Sequence, residues 1–250
     1  MKNALVTGAG KRIGRALAIA LADKGYNVGV HYHTSKPEAD AVAGLIQERG
    51  RKAFVVKADL SVEAETAALI QQAAGALGPL TLLINSASVF EYDDVQSMTR
   101  KSWDAHIETN LRAPLKLAQD FASQAQADAD NLIINITDQR VLKLTPQFLS
   151  YTLSKAALST LTVTLAQALG PSGVRVNAIG PGPTLKNARQ SDDDWERQNA
   201  ATILGRGASP EDICAAMAYL IDASAVTGQM IAVDGGQHLA WRTPDVLLEE

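Results

Sequence analysis

The chain has 250 residues and a single cysteine, Cys214, which excludes an intramolecular disulfide and any cysteine-rich zinc or iron–sulfur site. With no CxxC spacing beside it, Cys214 reads as a small buried hydrophobe. An excess of positive charge is lacking too. Against 23 Lys and Arg stand 27 Asp and Glu, a formal net charge of −4, and this excludes a nucleic-acid or anionic-membrane binder that works through a broad basic surface. No run approaches the roughly 18–20 uninterrupted apolar residues of a spanning helix. The first residues, MKNALVTGAGKRIG, lead into a strand and a turn instead of a signal-peptide hydrophobic region. A cytoplasmic protein without nucleic-acid or membrane partners is therefore expected. Aromatics are scarce, at 4 Phe, 5 Tyr and 3 Trp, so one placed beside a chemical motif carries extra information.

What is present is an ordinary globular composition, 46% hydrophobic and 20% charged. Short β-branched runs alternate with longer Ala/Leu-rich runs of helical period, several closing at a glycine. Strands are predicted near 4–6, 27–32, 53–57, 80–85, 131–136, 175–179 and 229–233. Helices are predicted over 12–24, 37–49, 62–77, 100–125, 151–169 and 210–222. Seven strands joined by crossover helices imply a single α/β domain over 1–250, a doubly wound Rossmann-type parallel sheet with helices on both faces. Ligands in such sheets lie beyond the carboxyl ends of the strands.

The first strand ends in Thr7-Gly8-Ala9-Gly10-Lys11-Arg12-Ile13-Gly14, a glycine-rich turn opening a helix whose amides can hold a pyrophosphate. The glycines at 8, 10 and 14 do not follow GxGxxG. Lys11 and Arg12 oppose the helix dipole at this end, which calls for an anion. The second strand ends in His31-Tyr32-His33-Thr34-Ser35-Lys36, with no acid before Glu38 to grip ribose hydroxyls, and this favours NADP(H) over NAD(H). His31 is equally readable as a plain strand-end residue. Asp59, after the third strand, can accept from an adenine amino group or cap the helix near Val62.

Tyr151 and Lys155 stand four residues apart, on one face of a helix that follows the fifth strand. A nearby cation stabilises phenolate, so Lys155 is expected to lower the pKa of Tyr151 toward the range useful for acid catalysis. With these motifs the chain resembles the short-chain dehydrogenase/reductase family over nearly its whole length. The matching features are the turn at Gly8 to Gly14, Asn85-Ser86-Ala87-Ser88, Asn110, Tyr151 with Lys155, Pro181-Gly182, Gly228-Gln229 and Val233-Asp234-Gly235-Gly236. The resemblance implies hydride transfer from the cofactor, with Tyr151 as proton donor, Lys155 on the nicotinamide ribose and Asn110 holding a relay water. It carries cofactor contacts onto Gly8, Lys11, Arg12, Ile13 and Gly14 of the first turn, and onto His33, Thr34 and Ser35 after the second strand. Further contacts fall on Asp59 and Leu60, on Asn85, Ser86 and Ala87, on Tyr151 and Lys155, and on Pro181 and Gly182. No metal is expected.

Three departures narrow the resemblance. Arg12 stands where most members have glycine, Asn85-Ser86-Ala87-Ser88 replaces the usual Asn-Asn-Ala-Gly, and Asp138 replaces the serine found 13 residues before the tyrosine. Together with His31-Tyr32-His33 and the Ala87-Ser88-Val89-Phe90 run, they resemble the pteridine reductases. That subfamily implies substrate contacts by Arg12, Ser88, Phe90, Asp138 and Tyr151, with Asp138 relaying a proton through Tyr151. Phe90 is placed to stack on a flat heteroaromatic ring. Thr137 is an alternative hydroxyl in place of the missing serine, but on a strand it faces away from Asp138.

The expected lid, about 184–204, is polar and carries no motif. The tail 237–250 runs past the usual family end, and Trp241 or Arg242 either reaches a neighbouring subunit or packs on the surface. The helix 151–169 is apolar or small nearly all round, and in relatives it helps build a subunit interface, so a homotetramer is expected. An NADPH-dependent pterin reductase leads the functional readings. A short-chain ketone reductase, for example of 3-oxoacyl thioesters, and a catalytically idle NADP(H)-binding sensor are the alternatives.

Overall fold

Period-two alternation sorts the strand side chains between two cores. In β1 (Asn3–Val6), Ala4 and Val6 enter one hydrophobic cluster and Leu5 the other. The same division recurs in β4 (Leu82–Asn85), where Leu82 and Ile84 oppose Leu83, and in β5 (Asn131–Ile136), where Leu132, Ile134 and Ile136 oppose Ile133. A sheet apolar on both faces must be covered on both. The computed structural model describes residues 2–187 and 189–241, and among these the strands β2 (Asn27–Tyr32), β3 (Ala53–Lys57), β6 (Val174–Pro181) and β7 (Met230–Val233) complete a parallel seven-stranded sheet. Its order is β3-β2-β1-β4-β5-β6-β7.

Helices α1 (Arg12–Asp23), α2 (Lys36–Glu48) and, between β6 and β7, α8 (Pro210–Asp222) bury Leu17, Leu21, Val42, Ile46, Met217 and Leu220 against one face. Helices α3 (Glu63–Leu77), α5 (Ala113–Gln124) and α6 (Leu149–Leu169) bury Leu69, Ile70, Leu117, Phe121 and Ala166 against the other. The doubly wound fold is as the alternating pattern implies. Strand order reverses between β1 and β4, which opens the crevice there beyond the strands' carboxyl ends. Among the described residues, no helix is long and apolar enough to cross a membrane.

Three elements differ from the sequence reading. The helix expected over 100–125 is divided into α4 (Arg100–Ile107), a π-helical turn (Glu108–Arg112) and α5. One extra residue per turn leaves the apolar period nearly intact, so the sequence does not display it. The strand expected from Leu80 starts at Leu82, because the Leu80 amide and carbonyl pair with the Gln124 side chain (2.8 and 2.9 Å) instead of a neighbouring strand. The lid contains α7 (Asp192–Ala200), capped by Ser191 (3.1 Å from Asp194 N) and opened by three aspartates favourable to the helix dipole.

Candidate active site

The turn after β1 is held by side chains from its neighbours. Thr7 Oγ1 accepts from the amides of Ser86 (2.9 Å) and Ala87 (3.0 Å), tying the ends of β1 and β4 together. Gly8 has φ +65, and a Cβ there would lie 2.9 Å from Ala87 Cα, so the turn requires glycine. The Gly8 amide donates to His31 Nδ1 (3.0 Å), and His31 Nε2 donates to the Ala58 carbonyl (3.1 Å). Burial at 2% exposure pushes the His31 pKa down to about 4, so the ring is neutral at ordinary pH and supports the turn structurally.

Among the described residues no side chain caps α1 and no acid occupies its first turn, so its free amides suit an anionic group. The two cations expected to answer that anion have other partners. Lys11 pairs with Glu38 (2.8 Å), and the Arg12 guanidinium donates to the carbonyls of Leu185 (2.8 Å) and Lys186 (2.9 Å) in the lid. Arg12 also has φ +51, a left-handed conformation that accounts for the family's preference for glycine there.

A crevice of about 1350 Å³ runs from this turn to the substrate end, larger than the roughly 300–1,000 Å³ of a single small-molecule pocket. The end expected to take a dinucleotide is lined by Gly8, Lys11, Arg12, Ile13 and Gly14, then by His33, Thr34 and Ser35. Asp59 and Leu60 follow, with Ser86 and Ala87 between them and the reacting end, where Tyr151, Lys155, Pro181 and Gly182 line it. Asp59 does not cap α3. Its Oδ1 accepts from the Ser61 amide (2.9 Å) and hydroxyl (2.7 Å), while Oδ2 lies 3.5 Å from His33 Nε2.

Two predicted site residues stand behind the lining. Asn85 is buried and donates to Asn135 Oδ1 (2.8 Å). Asn110, in the π-helical turn, is buried with its side chain engaged by protein: Oδ1 accepts from Val89 N (2.8 Å) and Ser88 Oγ (3.2 Å), and Nδ2 donates to Val89 O (2.9 Å) and Ser154 Oγ (3.1 Å). Its side chain therefore fixes the segment after β4.

At the reacting end, Asp138 leaves β5 in extended conformation and accepts from Arg140 N through Oδ1 (2.7 Å). Its Oδ2 accepts from the Tyr151 hydroxyl (2.7 Å). Thr137 faces away, donating to Ile179 O (3.0 Å), so it does not stand in for the missing serine. Lys155 Nζ donates to Ile136 O (2.7 Å) and lies 5.8 Å from the Tyr151 ring centroid. The expected lowering of the tyrosine pKa is reversed in direction. Burial and then the Asp138 charge and hydrogen bond raise Tyr151 well above 10, keeping it a phenol. Burial brings Lys155 down to about 8, with Asp138 opposing.

Phe90 lines the crevice but is already stacked. Phe148 lies parallel to it at 4.4 Å and 8°, and Tyr151 meets it edge-on at 4.7 Å. Phe148 is a site residue that the motifs do not point to, although an aromatic three positions before Tyr151 in an aromatic-poor chain is a usable signal. Arg140 sits 5.3 Å from the Phe148 ring, and Arg189, in the lid, 5.9 Å from the Phe90 ring. Arg189 also donates to Phe90 O (2.6 Å) and pairs with Glu91. The lid is thus tied to the crevice at both ends, by Arg12 and by Arg189. From the tail, Gln237 lines the crevice and Trp241 is 60% exposed, while Arg242 and the rest of 242–250 lie outside the described residues.

Residues 8–238 match a family model described as enoyl-(acyl carrier protein) reductase. The 3-oxoacyl-[acyl-carrier-protein] reductase FabG of Staphylococcus epidermidis is 33% identical over 242 residues, covering 95% of this chain and 99% of that protein. Among solved structures, FolM alternative dihydrofolate reductase 1 of Brucella suis in complex with NADP is 46% identical, with a TM-score of 0.93 and 98% of each chain covered. The Brucella canis counterpart, also complexed with NADP, is 46% identical with a TM-score of 0.94, covering 98% of this chain and 97% of that one. With the family model spanning most of the sequence and the glycine turn, Tyr151 and Lys155 brought to one crevice, the chain belongs to the short-chain dehydrogenase/reductase family.

Proposed function

We propose that the protein is an NADPH-dependent reductase of C=N bonds in a pterin or dihydropteridine. The observation that carries this reading is the Asp138 carboxylate hydrogen-bonded to the Tyr151 phenol at 2.7 Å, in the place where a family serine would donate to a substrate carbonyl. A carboxylate cannot donate to a carbonyl and repels the oxyanion formed on its reduction, whereas it can accept from a ring N–H. The FolM relatives, at 46% identity, agree with a pteridine substrate and with NADP(H) as cofactor. The second reading, reduction of a 3-oxoacyl thioester, is favoured by the FabG relative at 33% identity.

The free amides at the start of α1 and the strand-two end without an acid would hold the dinucleotide and its 2′-phosphate, and Lys155 its nicotinamide ribose. When bound, the reduced dinucleotide supplies the hydride. Tyr151 donates its phenolic proton to the ring nitrogen as hydride reaches the adjacent carbon, so that C=N becomes CH–NH. The phenolate then regains a proton through Asp138, which takes it from solvent, giving a net consumption of one proton per turnover. The ammonium of Lys155 stabilises the transient phenolate. The stacked Phe90–Phe148 pair would provide one wall for the flat ring, with Arg12 and Ser88 bordering it.

Exposed Leu153 and Val163 on α6, each 44% accessible, are apolar surface that fits an intersubunit contact, in accord with a homotetramer. A lone cysteine and a reducing cofactor fit a cytoplasmic enzyme. Asp138→Ala tests the reading: turnover of a dihydropterin falls by about 100-fold or more while NADP⁺ affinity is retained. Loss of both together would make Asp138 a structural residue and refute its catalytic role.

A further inference from the structure

Behind the crevice lies a buried cluster of Asp93, His106 and Ser150, exposed by 1%, 0% and 0%, that the reaction above does not use. Its composition is that of a nucleophilic triad, but its bonding is not. Ser150 Oγ donates directly to Asp93 Oδ2, and His106 Nε2 accepts from the Glu91 amide (3.1 Å), leaving no base poised on the hydroxyl. An Nε2 that accepts from a backbone N–H carries a lone pair, so the ring proton sits on Nδ1. That nitrogen faces Ser102 O at 2.8 Å and Ser150 Oγ at 2.7 Å.

The cluster joins two catalytic elements that are distant in sequence. On one side is the segment after β4 that carries Phe90, gripped at Glu91 by His106. On the other is the first turn of α6, which carries Tyr151. Phe148, the residue preceding α6, gives it no side-chain cap and is left-handed at φ +56. The missing cap comes from 56 and 57 residues away: Asp93 O accepts from Leu149 N (3.1 Å), and Asp93 Oδ1 accepts from Ser150 N (3.0 Å). One free amide of the helix N-terminus is thus met by the Asp93 main-chain carbonyl and the next by its carboxylate, whose negative charge the helix dipole also favours. The His106 ring then meets the Tyr151 ring edge-on at 6.1 Å.

We propose that His106, with Asp93 and Ser150, is a positioning residue that fixes the Phe90 wall and the Tyr151 proton donor in one register. The inference rests on the proposed function only for the choice of substrate; its test can be run on any substrate the wild type reduces. Misplacement of a donor by about 1 Å can cost about 100-fold in rate. In His106→Leu, kcat is therefore expected to fall about 10- to 100-fold and the substrate KM to rise, with the Kd for NADP⁺ unchanged. His106→Gln places a carboxamide oxygen where Nε2 accepts from Glu91 N, and it should recover most of that loss. Unchanged kcat in His106→Leu, parallel loss of NADP⁺ affinity, or a folded His106→Gln as poor as His106→Leu would each overturn the proposal. Should His106→Leu not fold, Ser150→Ala decides, since it keeps the Asp93 bond to the helix-end amide and removes only the hydroxyl link. A selective fall in kcat upholds positioning and wild-type kinetics refute it. A wild type that reduces ketones but no dihydropterin refutes the substrate reading and leaves this test intact.

Discussion

His31 makes a quantitative prediction about acid stability. It is 2% exposed, its Nδ1 accepts the Gly8 amide, and its pKa lies at about 4 against an ordinary 6.5. Between those two values the unfolded chain binds a proton that the folded chain refuses. The associated stability is therefore complete above pH 6.5 and declines as the pH falls toward 4. Taking 6.5 unfolded and about 4 folded, the loss at pH 4.5 relative to pH 7.5 is on the order of 2–3 kcal/mol. His31→Asn keeps an acceptor near the Gly8 amide and does not titrate, so it loses the bond to Ala58 at every pH but lacks the slope. Urea unfolding of both proteins at pH 7.5 and 4.5, at one fixed protein concentration, gives the comparison. The wild type should lose on the order of 2–3 kcal/mol more than the variant over that interval. Equal losses would refute the assignment of His31 as a neutral support of the phosphate turn.

The pH dependence of catalysis should follow Lys155, whose ammonium is held at a pKa of about 8 by burial. Because the protonated form supports the phenolate, kcat/KM should fall as the pH rises through about 8, and a flat profile to pH 10 would contradict that role. Arg12→Gly removes a left-handed non-glycine residue together with both lid bonds. Thermal stability should change by no more than about 1 kcal/mol, since relief of strain offsets lost hydrogen bonds. The substrate KM should nonetheless rise about tenfold as the 185–186 segment loosens, measured by steady-state NADPH oxidation.

Much of the fold was legible because its signals are local. Strand alternation, the glycine turn and the 13-residue spacing of Asp138 and Tyr151 place chemistry at the carboxyl edge of the sheet, and the hydrogen bond of 2.7 Å between those two residues follows from that placement. What escaped depends on contacts between distant segments. Arg12 reaches lid carbonyls 173 and 174 positions away, and Phe148 covers Phe90 from beyond β5. Lys11 finds Glu38 on the next helix, which a dipole argument confined to α1 does not include. The direction of the Tyr151 shift escaped for a similar reason: burial and Asp138 outweigh the opposing charge of Arg140, while the Lys155 Nζ is drawn to Ile136 O. The π-helical turn is visible only through its product, an Asn110 side chain turned onto Val89.

On the proposed function, the acid paired with Tyr151 selects a C=N substrate over a carbonyl. The most direct test of that selection is the ratio of kcat/KM for a dihydropterin to that for an acetoacetyl thioester, measured with NADPH on the wild type and on Asp138→Ser. The wild type should favour the dihydropterin by about 100-fold or more, and the serine variant should lose most of that preference. A wild type that reduces the thioester better, or a preference that Asp138→Ser leaves unchanged, would contradict it.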